Sequence, residues 1–480
     1  MSDPDVVIVG SGPNGLAAAV ALAQGGASTL VLEARETIGG GTRTAELTLP
    51  GFSHDVCSAV HPMAVMSPFF RSLPLEKHGL RWIRAPVSVA HPLDDQPAVL
   101  LHQSIDATLE QFGTDAARYR SLLEPFIDAG HDFFRDLLAP LRIPEHPLLM
   151  LRFGIHGVKS AVRLAKNFET SGARALLAGC AAHSCLALER AFTGAVGLVF
   201  LLSAHLEDWP IPVGGSQAIT GALARLLLSL GGTIQTNAMV RTAADLPPAR
   251  MFLFDTNPTQ LASIASSALP TRYLARLRRY RYGPGVFKVD WALDGPIPWR
   301  DPRCLQASTV HVGGMLEEIA ASESGVWSGE HSSRPFLLVC QQSDFDSGRA
   351  PPGKRTGYAY CHVPAGSKQD RTEVVEAQIE RFAPGFRARI LARHATLTAD
   401  FERDNPNLIG GAITGGAADA GQLFTRPVAR FNPYTTPNPR VLLCSSSTPP
   451  GGGVHGMCGY HAARTALKRL SRIAVAPLVP

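Results

Sequence analysis

Long apolar runs are missing from this sequence. The longest uncharged apolar stretch, Ala191 to Ala204, falls short of the roughly 20 residues that a membrane-spanning helix needs. A spanning helix is therefore not expected, while shallow peripheral contact with a membrane stays open. Paired cysteines are missing too. Cys57, Cys180, Cys185, Cys304, Cys340, Cys361, Cys444 and Cys458 are scattered, without CxxC or knuckle spacing. That pattern speaks against structural zinc and a disulfide framework, and suits reduced thiols in a cytoplasmic protein. Cys180 and Cys185 have the spacing of a disulfide-reductase pair, but they fall far downstream, in an Ala-rich helical pattern. No secretory leader is visible, since Asp3 and Asp5 run straight into an apolar strand pattern. Charge imbalance is small, +5 over 480 residues, so charge selects no partner. HExxH, nucleophilic-triad and paired-carboxylate spacings are all lacking. Glu317 and Glu318, adjacent on a helix, would not face each other, and no metal site is expected.

What is present is a globular composition, 45% apolar and 18% charged, with 45 glycines and 37 prolines. So much glycine predicts many turns and places where backbone comes close to a ligand. The length allows two or more domains, or an interleaved pair. One local basic segment stands out. Arg276, Arg278, Arg279 and Arg281 interleave with Tyr280 and Tyr282, a pattern compatible with nucleic acid or lipid headgroups. It reads more simply as a solvated helix end before the Gly283-Pro284-Gly285 turn, and no nucleic-acid partner is expected.

The N-terminus carries the first chemistry. Val6-Val7-Ile8-Val9 is a strand pattern, followed by Gly10-Ser11-Gly12-Pro13-Asn14-Gly15, an Ala-rich helix to Gln24, and a second strand, Thr29 to Leu32, ending at Glu33. Gly10 permits the tight turn, Gly12 lets backbone approach a pyrophosphate, and Gly15 lets helix and strand pack closely. The helix N-terminus offers free N–H groups to phosphate, and Glu33 can accept from a ribose hydroxyl. Ala34 and Arg35 follow, then Gly39-Gly40-Gly41-Thr42-Arg43. This second glycine cluster with an arginine favours FAD over a nicotinamide: bare backbone runs beside the ribityl and pyrophosphate, with Arg43 available to either.

A second strand–loop–helix closes the chain: Val441 to Leu443, then Cys444-Ser445-Ser446-Ser447-Thr448-Pro449-Pro450-Gly451-Gly452-Gly453-Val454-His455-Gly456-Met457, then a helix to Leu470. Gly451, Gly453 and Gly456 fit GxGxxG again. No Asp or Glu occurs after Asp419, so nothing could serve as a second ribose acid. The economical reading is one FAD touched at both ends, with the amides near Met457 aimed at the flavin pyrimidine.

Taken together, VVIVGSGPNGLAAAVALA, GGGTRT, PVGGSQAITGALARLLLSLGG, FKVDWALDGPIPW, NPNLIGGAITGG and LLCSSSTPPGGGVHGMCGYHAA resemble the phytoene desaturase-like family of FAD oxidoreductases. The resemblance implies an α/β fold: a Rossmann-like FAD-binding domain interleaved with an α+β substrate domain, as in amine oxidases. Residues 1–80, 208–262 and 405–480 would form the first, and 81–207 and 263–404 the second. It places Val240 on the adenine. It implies oxidation, desaturation or isomerisation of an apolar, lipid-like or polyene substrate by hydride transfer to flavin. Ser445, Ser447 and Pro450 stand where the carotenoid branch commonly has Gly, Gly and His, and Ala412 where many relatives have Asp, which weakens the case for a carotenoid.

Proton transfer falls to histidines near the flavin: His455 in the C-terminal loop, and His54 and His61, in and just beyond the segment Gly51 to Asp55 that runs close to the ring system in relatives. The helical first part of the substrate domain, apolar above all at Leu148-Leu149-Met150 and from Leu176 to Leu202, suits an oily tunnel, a core or a homo-oligomer face. Two other functions stay open. A flavin amine oxidase would need an aromatic cage or a flavin-linked cysteine, for which Cys444 and Cys458 are candidates. A binding protein resembling GDP-dissociation inhibitor would have the fold without turnover.

Overall fold

Four consecutive apolar residues, Val6–Val9, are buried to the last, which marks the middle of a sheet covered on both faces. In the computed structural model, which describes residues 3–479, this strand pairs in parallel with Thr29–Leu32 on one side and Met251–Phe254 on the other. Val441–Leu443 and Thr233–Gln235 complete a five-stranded parallel sheet, in the spatial order 441–443, 251–254, 6–9, 29–32, 233–235. The strand at Thr233 is short. Its pairing with the strand at Thr29 ends at Gln235, and Asn237 takes a positive φ of 54°.

Helices Pro258–Ile264 and Thr271–Arg278 cover one face of this sheet, and three others cover the opposite face. Pro13–Gln24 starts with proline at its first turn, where the missing N–H costs nothing, and is buried from Asn14 to Leu22. Its neighbours are Gln217–Ser229 and the last helix, Met457–Leu470. The crossing with the last helix needs a glycine, because a Cβ at Gly459 would lie 1.9 Å from the Asn14 carbonyl oxygen.

A second sheet of seven strands is mostly antiparallel, in the order 390–396, 285–293, 355–363, 337–340, 307–312, 87–91, 99–101. Gly285–Leu293 forms a strand of nine residues, all of them buried. The apolar region around Leu176 to Leu202 folds as two helices, Ser171–Ala182 and Thr193–Glu207. Small residues let them pack closely: a Cβ at Gly197 would sit 3.2 Å from that of Ala181. Among the described residues, no helix is long and apolar enough to cross a membrane.

The basic–aromatic segment is the end of helix Thr271–Arg278 and the chain after it. Its tyrosines are used internally. Tyr280 donates to the Gly415 carbonyl at 2.8 Å, and Tyr282 bonds to Thr259 and Asn257.

Candidate functional site

The glycine loop after Val9 is shaped by what lies behind it. Gly10 takes a φ of +103°, and a Cβ on Gly15 would meet the Gly10 carbonyl oxygen at 2.1 Å. At Gly12 a Cβ would lie 2.8 Å from Asp255 Oδ2. Asp255 ends the strand Met251–Phe254, and its Oδ2 accepts the Gly15 amide at 2.9 Å. Burial, with Glu33 nearby, pushes the Asp255 carboxyl up to about 8, against the opposing Gly15 hydrogen bond.

Glu33 sits at the tip of the next strand. Its Oε2 accepts the Ser11 amide at 3.1 Å and the Ser11 hydroxyl at 2.5 Å, and its Oε1 accepts the Arg35 amide at 2.9 Å. The carboxylate is thus pinned against the glycine loop, with lone-pair capacity left over. Arg43 approaches it at 4.0 Å, and burial lowers the pKa of this guanidinium.

One cavity of about 1090 Å³ runs along this loop. Of the residues singled out from the sequence, Gly10, Ser11, Gly12, Pro13 and Asn14 line it, as do Glu33, Ala34 and Arg35. Gly40, Gly41, Thr42 and Arg43 face it as well, and so do Val240, Ser446 and His455. Both glycine-rich loops therefore open onto the same space. Asn14 Oδ1, Arg35 Nε, Arg43 Nε and His455 Nε2 are buried along it without a protein partner. Burial of such groups costs about 1–3 kcal/mol each unless a ligand satisfies them. A carboxylate for ribose, loop amides and arginines for phosphate, and a cavity of about 1090 Å³ suit FAD, so the donor set fits the cofactor.

Four expected contacts lie behind the cavity wall. Gly15 packs against the loop, and Ser445 is buried and receives the Ser447 amide. Gly456 is left-handed, and a Cβ there would strike Phe70 at 2.4 Å. The Met457 amide was expected to aim at the flavin. It donates instead to His455 Nδ1 at 3.0 Å, which leaves the wall to Gly452, Gly453, Val454 and His455.

The three candidate histidines have different surroundings. In His455, Nδ1 accepts from Met457, so Nε2 carries the hydrogen, and burial holds the ring near a pKa of about 4. His61 also faces the cavity. Its Nε2 lies 2.8 Å from Ser216 Oγ, whose own hydrogen goes to the Ser58 carbonyl, and burial lowers the ring to about 4. His54 does not line the cavity. It bonds Thr48 through Nε2 and stands 3.6 Å from Asp290, where burial and then Lys288 lower it to about 3. Beside it, Arg349 binds Asp55 at 2.6 Å and Asp346 at 3.1 Å, a buried ionic cluster under the second sheet.

Beyond the glycine loops the wall turns apolar, with Met150, Phe153, Val196, Val199 and Phe200 from the helices. Tyr358 and Tyr360 enter from the strand Arg355–Val363, with ring centroids 6.0 Å apart and meeting edge to face. Three cysteines also line the space. Burial pushes Cys57 up to about 11 and Cys340 up to about 12. The third, Cys185, lies 3.1 Å from His362 Nε2, while His362 Nδ1 lies 2.7 Å from Glu323 Oε2. Sequence reasoning missed this trio, whose members are 39 and 177 residues apart in pairs and follow no motif. Cys444 and Cys458 do not reach the cavity. The Cys458 thiol faces the Thr448 and Gly451 carbonyls, each at 3.4 Å.

Residues 8–73 match the family described as NAD(P)-binding Rossmann-like domain. The chain is 26% identical to pyridine nucleotide-disulfide oxidoreductase domain-containing protein 2 of Mus musculus, covering 98% of this chain and 94% of that one. It is 23% identical to a limonene dehydrogenase subunit of Castellaniella defragrans, with 96% and 94% covered. Phytoene desaturase (lycopene-forming) of Pseudescherichia vulneris is also 23% identical, with 96% and 98% covered. Among solved structures, a cofactor-binding redesign of putrescine oxidase superposes with a TM-score of 0.63 at 19% identity, over 98% of this chain and 99% of that one.

Proposed function

From a chain related along its whole length to the phytoene desaturase-like FAD-dependent oxidoreductases, we propose an enzyme that oxidises, desaturates or isomerises an apolar hydrocarbon-like substrate. One observation carries the reading. The cavity that begins at the dinucleotide loops continues into walls of Leu, Met, Val and Phe. Its only carboxylates among the described residues are Glu33, Asp136 and Asp255. Glu33 and Asp255 belong to the glycine loop, and Asp136 is occupied by the amides of Glu145 and His146 at 2.8 Å each. An ammonium group would find no free counter-ion there, and its desolvation would go uncompensated. The edge-to-face tyrosines do not form a facing pair around an amine. Two relatives are named for action on limonene and on phytoene, both hydrocarbons.

When bound, FAD supplies a two-electron acceptor for hydride at N5. The chain does the rest. Ser11, Glu33 and Arg43 hold the ribose and phosphate end, and the buried loops around His61 and His455 exclude water. The helical walls orient the hydrocarbon by shape alone. Entry is proposed beside helix Pro147–Gly157. There Met150 and Phe153 face inward while Leu148 and Leu151 are 81% and 63% exposed. Arg142, Arg152, Lys159, Arg163 and Lys166 flank them against one acid, Glu145. Exposed apolar side chains among basic ones suit peripheral contact with an anionic bilayer, from which an apolar substrate could pass inward.

The test is anaerobic mixing of the yellow protein with limonene and with putrescine, followed at the flavin bands. Bleaching by limonene and not by putrescine is expected. Bleaching by putrescine alone overturns the reading.

A further inference from the structure

None of Cys185, His362 and Glu323 belongs to the two glycine-rich loops, yet the sulfur-bearing member lines the cavity. Three separate elements bring the trio together. Cys185 lies in the turn after helix Ser171–Ala182, His362 on strand Arg355–Val363, and Glu323 on helix Leu316–Ser328. The sulfur, both imidazole nitrogens and one carboxylate oxygen form a chain of contacts at 3.1 and 2.7 Å. The His362 and Glu323 side chains are 1% and 2% exposed.

Cys185 is also held where backbone alone would not put it. Its φ is +52°, a left-handed conformation that costs a non-glycine residue on the order of 1–3 kcal/mol. Two contacts maintain that turn: the Cys185 amide donates to the Ala182 carbonyl at 3.0 Å, and its carbonyl accepts the Trp327 indole N–H at 3.1 Å. A buried thiol of packing value alone needs neither a strained turn nor an imidazole–carboxylate partner.

We propose that Cys185, His362 and Glu323 form the acid–base relay of this cavity, in which the Cys185 sulfur exchanges a proton with the carbon skeleton of the substrate. The proposal rests on the hydrocarbon-oxidising reading above. The step concerns the carbon next to the one that gives up its hydride, with the flavin as oxidant. The C–H bond of that neighbour breaks, its electron pair becomes the new C=C, and its proton forms an S–H bond at Cys185. Such a proton is acidic because its neighbour has become electron-deficient. Cys185 is the catalytic residue; His362 and Glu323 are positioning residues.

The surroundings isolate His362 as the cation facing the sulfur. Burial alone would depress the ring, but Cys185 and Glu323 outweigh it and hold His362 well above the ordinary imidazole range. Two titratable neighbours are kept neutral by burial, while the Arg190 guanidinium lies over the Trp327 ring, 3.9 Å from its centroid. Burial raises Tyr360, on the same strand, and lowers His183, in the turn, to about 3. Glu323 Oε1 accepts from no protein donor, so no second donor competes with His362 for the carboxylate.

The experiment follows alkylation of Cys185 by iodoacetamide in the flavin-loaded protein, read by mass spectrometry between about pH 6 and 9, the range over which an ordinary thiol gains its charge. The wild-type rate is expected to be nearly flat. In His362→Ala it should climb about tenfold per pH unit, as for an ordinary thiol. Glu323→Gln should fall between them. A wild-type profile as steep as that of His362→Ala overturns the relay. In a second arm, limonene reduces the flavin of wild type and Cys185→Ser. A loss of about 100-fold or more with an unchanged flavin spectrum is expected, and equal rates overturn the catalytic role. If limonene bleaches neither protein, the substrate reading fails, and the alkylation profile still decides the relay.

Discussion

The Gly15 amide donates to Asp255 Oδ2 at 2.9 Å, which places a carboxyl group directly behind the dinucleotide loop. Burial raises this carboxyl from the ordinary 3.8 to about 8. A group raised on folding lends stability that is complete below its unfolded value and is lost as pH climbs through its folded value. Flavin-stripped wild type should therefore lose stability progressively between about pH 4 and pH 8, by at most about 1.4 kcal/mol per pH unit from this group. Asp255→Asn keeps an acceptor for Gly15 and removes the titration. Its Tm advantage over wild type should widen across that window. Parallel Tm curves for the two proteins would refute the assignment.

Gly15 itself yields a stricter test. Its Cβ position lies 2.1 Å from a backbone oxygen, which no rotamer change can relieve. Gly15→Ala must push the helix Pro13–Gln24 off the sheet and spoil the crevice. Purified variant protein should carry less than about a tenth of the wild-type flavin, measured as the ratio of visible to ultraviolet absorbance, if the shift costs at least roughly 1.4 kcal/mol of binding. Full flavin content would show that the loop does not hold the cofactor.

Glu33 tests the other end of the same cradle. Glu33→Gln can still accept from Ser11 but loses the charge that strengthens a hydroxyl–carboxylate bond. Hydrogen bonds to charged groups are worth about 1.5–3 kcal/mol, so FAD affinity should fall roughly tenfold to a hundredfold. Titration of stripped protein with FAD, followed by quenching of flavin fluorescence, measures this. An unchanged Kd would remove Glu33 from the ribose.

These cofactor-side features were readable because local chemistry dictates them. A buried strand, a glycine turn, a helix and an acid follow one another within about 30 residues, and each has its own residue signature. The strand Gly285–Leu293 is likewise bounded by turn residues on both sides. The Met457 amide went elsewhere because His455, two residues before it, could cap it, a choice set by a single side-chain rotation. Val240 reached the cavity from a loop rather than a strand. The Cys185 relay was invisible because it depends on the second sheet, the helix Leu316–Ser328 and a left-handed turn meeting at one point. His362 lies in a β-strand whose alternation hides one inward histidine among other buried residues.

The exposed rim around helix Pro147–Gly157 supplies the last test, and it separates a bilayer contact from an idle surface. Leu148, Leu151 and Ile155 are spaced three and four residues apart on one outer face, and all are exposed. Each such side chain gains roughly 1.5–3 kcal/mol on leaving water. Replacing all three with serine should weaken sedimentation with phosphatidylglycerol vesicles more than about a hundredfold if they insert. The cavity face of the helix, with Met150 and Phe153, is untouched by these changes, so flavin content and spectrum should stay as in wild type. Raising the salt should weaken vesicle binding through Arg142, Arg152, Arg163 and Lys166, because charges near a membrane surface act within a Debye length of about 8–10 Å. Equal sedimentation of wild type and triple variant would mean that this face never enters a bilayer, and that the substrate reaches the cavity from water.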